Sequence, residues 1–155
     1  MPIKSIPENV VLSIHNFLLQ IHKDNLSDGE KLWNKKMFDT AIRHLEYFVE
    51  PLVSVNAQFI ADANGLGDLR LQRYRTPKAW PRGSELYWEH AVPVLDIRNS
   101  LMKLGVNPKL EDVLGIVNQA EVAWITRDEE RTLLKTGRAE WREEYRRNNI
   151  LFVSE

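Results

Sequence analysis

Proline and glycine divide this chain unevenly, and the division limits what it can fold into. Between Pro7 and Pro51 there is no proline and a single glycine, Gly29. From Pro51 onward the breakers recur: Pro77, Pro81, Pro93 and Pro108, with Gly65, Gly67, Gly83, Gly105 and Gly137 among them. Proline removes a backbone donor and disfavours helix at the residue before it, and glycine supplies left-handed caps. Long helices therefore fit only in the first third, and short elements must build the rest.

The first third carries helical periodicity. Val10, Val11, Ile14, Phe17, Leu18 and Ile21 recur at three- and four-residue steps, which predicts a helix from near Pro7 to about Ile21 with one buried stripe. Ser27 and Glu30 form a capping box, opening a helix predicted from about Asp28 to Val49 and stopped by Pro51. Pro51 suits the first turn of a third helix, ended by "NGLG" at 64–67. "DLRLQRYRT" then alternates apolar and basic residues, as a short edge strand or extended arm would.

Beyond it, Pro93 can open a helix that Gly105 closes, and Asn107-Pro108 can start another. "EVAWIT" is a strand candidate. Thr126 and Glu129 make a second capping box, opening a helix that runs toward Gly137. "RAEWREEYRR" predicts a last helix, and "ILFV" a terminal strand. The expected fold is mainly α: one domain over 1–155, with a three-helix part (1–66) followed by a compact helical unit with two or three short strands (67–155).

Cysteine is absent, which removes disulfides, thiolate zinc sites and cysteine nucleophiles and fits a reducing compartment. No apolar run approaches the ~20 residues of a membrane span. A cytoplasmic protein that does not enter membranes is expected. The net charge of −1 argues against the whole surface binding a polyanion. The charge is concentrated, however: residues 67–106 carry +3 between two flanks of −2. Within them Arg70, Arg73, Arg75, Lys78 and Arg82 occur without an acid from Leu69 to Gly83, interleaved with Tyr74 and Trp80. Arg, Tyr and Trp are the residues of interface hot spots, and cations with aromatic faces also suit phosphates and unpaired bases. Folding of the acidic flanks against this segment is the third reading.

"ELYWEHAVPV" at 85–94 gathers chemistry most densely. His90 has an ordinary pKa near 6.5, which lets it take and return a proton at neutral pH. Glu-His before a proline is equally a helix start, with a carboxylate near the positive end of the dipole. The acids Asp128, Glu129 and Glu130 below the Thr126 cap are open to the same account. His15, His22 and His44 are read as boundary residues, and the His-Glu-x-x-His metal pattern is missing. No P-loop, Gly-x-Ser-x-Gly or dinucleotide fingerprint occurs.

Trp88-Glu89-His90-Ala91-Val92-Pro93 resembles the acid-His-apolar-apolar-Pro opening of HNH nucleases, the ββα-metal group, over residues 85–135. The resemblance implies Glu89 as first ligand of a divalent metal and His90 as general base. It implies Asn118 as the residue orienting His90, and Asp128, Glu129 or Glu130 as the ligand on the closing helix. The chain departs from the family pattern in lacking a closing His and a Cys pair, and in a helix-length insertion between the halves.

Two functions are thus expected. The leading one is a small protein-binding or regulatory protein, of the inhibitor, immunity or adaptor type used by bacteria and phages. It would need no cofactor and would present Arg70, Arg73, Tyr74, Arg75, Lys78, Trp80 and Arg82 to a protein partner. The alternative is a variant HNH-like metal-dependent nuclease, acting on nucleic acid bound through 70–82. Pairing of two copies through the long second helix is compatible with either.

Overall fold

A computed structural model describes residue 4, residues 6–73 and residues 84–153. The fold is mainly α with a small sheet. Its helices are α1 (Glu8–Ile21), α2 (Asp28–Arg43), α3 (Val55–Ala63), α4 (Val94–Met102), α5 (Leu110–Val117), α6 (Arg127–Thr132) and α7 (Trp141–Arg147). The strands are β1 (Leu52–Val53), β2 (Leu86–His90) and β3 (Val122–Thr126). They lie in the order β1-β3-β2, with β1 parallel and β2 antiparallel to β3.

β3 is the centre of the molecule. All five of its residues are buried, as a strand covered on both faces requires. One side faces the main core, where α1 packs on α2 and α5, and α2 on α4. The other faces a smaller cluster that includes Leu52, Ala123, Ile125, Tyr145 and Ile150. Trp88 and Trp124 are cross-strand partners, and their rings meet edge to face at 4.8 Å and 72°. Such a pair contributes about 0.5–1.5 kcal/mol beyond its buried area.

Both capping boxes form, at Ser27/Glu30 and at Thr126/Glu129. Gly65, Gly105 and Gly137 take the positive φ that only glycine adopts without strain. Four expectations need correction. The helix predicted from 28 to 49 is α-helical only to Arg43, and His44–Phe48 tighten into a 3₁₀ turn. Pro51 opens no helix. Leu52 and Val53 pair instead with Ala123 and Trp124, and Ser54 caps α3 by accepting from the Ala57 backbone. Leu69–Leu71 form a 3₁₀ turn rather than a strand, because the Asp68 carboxylate captures the Arg70 N–H. "ILFV" adds no strand, only a single bridge from Phe152 to Ser54.

No helix among the described residues is long and apolar enough to cross a membrane.

Candidate active site

β2 ends at His90 and forms an edge of the sheet. Side chains alternate along a strand, so Trp88 and His90 share one face, and Tyr87 and Glu89 the other. At an open edge both sets can reach the same space. They do so here, in a cleft of 560 Å³ that His90, Glu89, Tyr87 and Trp88 line together. The end of α2 contributes Arg43 to it and the 3₁₀ turn His44, Glu46 and Tyr47, and α6 and the loop after it contribute Glu130, Lys135 and Arg138.

His90 is therefore a strand-end residue, not the first turn of a helix; Pro93 caps α4 three residues later. Its Nε2 lies 2.9 Å from Glu46 Oε2, and the Trp88 indole donates to the same oxygen at 3.1 Å. Burial pushes the Glu46 carboxyl up, but the hydrogen bonds from His90 and Trp88 outweigh it and hold the group below its ordinary value. An ionised carboxylate only accepts, so Nε2 carries the hydrogen, and in the neutral ring Nδ1 carries the lone pair. Nδ1 has no hydrogen-bond partner among the described residues. The Arg43 carbonyl, 3.4 Å from Nε2, adds a weaker acceptor on the same side.

Glu89 has a different partner. Arg138, only 4% exposed, donates from Nη2 to Glu89 Oε1 at 2.5 Å and to the His90 carbonyl at 3.1 Å. Asp96 fixes the turn that delivers this arginine, accepting from the backbone N–H groups of Gly137 and Arg138 at 2.9 Å each. Tyr145 is buried beneath the pair; burial first, and then the Glu89 charge, push its phenol up. Burial and Glu89 act in the same direction on Tyr87.

The other residues expected at a site are spread out. Glu130 lines the cleft but is paired with Lys135. Glu129 points the other way: it accepts from Ser54 Oγ at 2.7 Å, Asn56 at 2.9 Å and the Thr126 backbone at 2.8 Å. Its role is to tie α6 to α3. Asp128 has a side chain 90% exposed and is paired with Arg131. Asn118 ends α5, where its carbonyl accepts from Lys4, and it is not among the cleft-lining residues. In this geometry the residues do not fit a divalent ion. The Glu89 carboxylate is taken by a buried guanidinium, and no cluster of three or more His, Asp or Glu among the described residues could hold a metal.

In the basic segment, Arg70 forms a bidentate pair with Asp68, and Arg73 donates to the Val49 carbonyl. Tyr74, Arg75, Lys78, Trp80 and Arg82 lie outside the described residues. Sequence reasoning missed Glu46 and Arg138, the two partners that define the site. Both lie at least 40 positions from β2, and no local spacing marks them.

No family model, no curated protein and no solved structure matches this chain.

Proposed function

We propose that the protein is a hydrolase of phosphate esters, a variant HNH-like phosphodiesterase in which His90 is the general base. The observation that carries this reading is the Glu46–His90 pair: a partly exposed imidazole, oriented by a buried carboxylate, at the end of an edge strand and facing a cleft. Nδ1 of His90 takes a proton from water as the water oxygen forms its bond to phosphorus. The bond from phosphorus to the leaving oxygen breaks, and the His90 imidazolium returns its proton, through water, to that oxygen. Glu46 stabilises the imidazolium formed between those events, as an orienting carboxylate does in acid–base sites generally. Arg43, exposed at the cleft and in no ion pair among the described residues, meets the charge on the phosphoryl oxygens. The order β2, β3, α6, two antiparallel strands and then a helix, supports the reading, as does the resemblance of residues 88–93.

The test is a cleavage assay on plasmid, duplex and single-stranded substrates, each with and without divalent ions, comparing the wild type with His90→Ala. Cleavage that His90→Ala abolishes while the near-ultraviolet dichroism stays native supports the proposal. Cleavage that survives the substitution overturns it.

A second reading, a regulatory protein that binds another protein, has its own observation. Phe59 is 74% and Leu71 81% exposed, and Leu71 lies within the basic segment. On that reading Phe59 and Leu71, the latter between Arg70 and Arg73 in sequence, are apolar contacts for the partner. Capture of a defined protein partner that is lost in Phe59→Ser and Leu71→Ser, and unaffected by His90→Ala, would favour it.

A further inference from the structure

In a 3₁₀ helix, residues three apart eclipse one another. The switch from α2 into the turn His44–Phe48 therefore sets His44 directly against Tyr47, and their rings stack at 5.0 Å with only 14° between planes. Tyr47 is 60% exposed and lines the same cleft as His90. The other large rings at this cleft are engaged: Trp88 packs on Trp124, and the Arg127 guanidinium lies over Tyr87 at 5.7 Å. Tyr47 thus presents a flat aromatic face backed by a second ring. Arg43, one residue before His44, brings a cation to the same rim.

From this we infer that the cleft takes an unpaired nucleobase, stacked on Tyr47, with its phosphate directed to Arg43 and His90. The inference rests on the hydrolytic reading of the same cleft and adds its substrate class: single-stranded nucleic acid rather than duplex. A ring backed by a second ring offers one large face, which suits the π-face that every base exposes once it leaves the helix. Bases within a duplex have both faces covered by their neighbours and cannot use it. The cleft volume of 560 Å³ is within the ordinary range for small-ligand sites. Glu46, Glu89 and Glu130 also line the cleft, but they are paired with His90, Arg138 and Lys135, so Arg43 is left to meet a phosphate as a cation in no ion pair among the described residues.

The test is fluorescence anisotropy with one labelled 12-mer, single-stranded and then annealed to its complement. It uses the wild-type protein and phosphorothioate-linked strands, checked by gel to be uncut, so that no cleavage intervenes. The single strand is expected to bind at least about tenfold tighter than the duplex. Tyr47→Ala should weaken the single strand by about tenfold or more, Tyr47→Phe should not, and neither should change binding of the duplex. Equal or tighter binding of the duplex, no binding of either strand, or a Tyr47→Ala protein that binds the single strand as before would each overturn the inference. The two readings separate cleanly. Tyr47-dependent binding by a wild type that cleaves nothing keeps the platform and removes the hydrolase. Cleavage indifferent to Tyr47→Ala does the reverse.

Discussion

Arg138 buries its guanidinium against Glu89, 2.5 Å from the carboxylate, on the strand residue directly before His90. The cation comes from the loop ahead of α7, 49 positions away along the chain. It supplies charge and hydrogen bonds at the acidic side chain that precedes the candidate base in sequence. Its own backbone is clamped by Asp96, so two elements inserted between or after the strands fix the end of β2.

Removing one member of this pair leaves a buried charge uncompensated. Arg138→Met is expected to lower the unfolding free energy by about 3–5 kcal/mol, whereas the double variant Glu89→Gln/Arg138→Met should recover much of the loss. Urea denaturation of the wild type, the two single variants and the double variant measures this coupling. Additive losses would mean that the pair contributes little.

With Arg138 in place, the Glu89 carboxylate is engaged, and no divalent ion should bind there. Calorimetric titration of the wild type with Mg²⁺, Mn²⁺ or Zn²⁺ is expected to give no saturable heat that Glu89→Ala removes. A stoichiometric site lost in both Glu89→Ala and His90→Ala would contradict the geometry and restore the metal-dependent alternative.

Glu129 and Asp128 are neighbours with opposite prospects. Glu129→Ala leaves Ser54, Asn56 and the Thr126 N–H without their acceptor, two of these at buried residues. A loss of about 2–4 kcal/mol is expected from the stranded donors. Asp128→Ala, at an exposed side chain, should change stability by no more than about 0.5 kcal/mol. Thermal unfolding of both variants side by side decides the matter.

The capping box that places Glu129 was legible in the sequence, as were α1, the strand "EVAWIT" and the glycine-ended helix α4. These are local features, set by periodicity and by hydrogen bonds that close within four residues. What was not legible depended on distant partners. Leu52 and Val53 become a strand only because Ala123 and Trp124 lie beside them. "LYWEH" becomes a strand by pairing with β3, across an insertion that holds α4 and α5. The site divides along the same line. His90 and Glu89 stood out for their chemistry, whereas Glu46 looked like one more acid on a long helix and Arg138 like one more charge before the last. The tightening at His44 that turns Glu46 and Tyr47 toward His90 leaves no mark in residue spacing.

Acid should weaken the fold through Glu46. Its folded-state pKa is held below the ordinary carboxylate value of 4.5, so its stabilising contribution is complete above about that pH. The contribution is lost as pH falls through the depressed folded value, where the carboxyl protonates and its bonds to His90 and Trp88 weaken. Stability measured against pH should therefore fall less steeply on the acid side of 4.5 in Glu46→Gln than in the wild type. Parallel acid limbs would show that Glu46 is not depressed.

The most direct test of the central claim, that Glu46 holds His90 as the base of a hydrolytic cleft, is the turnover of Glu46→Gln on a single-stranded substrate cleaved by the wild type. Glutamine keeps the shape but cannot stabilise the imidazolium. The expected result is a fall in kcat of about 10²-fold with KM little changed, because the substrate does not touch Glu46. A Glu46→Gln protein that turns over like the wild type, or a wild type that cleaves no strand at all, would contradict the account.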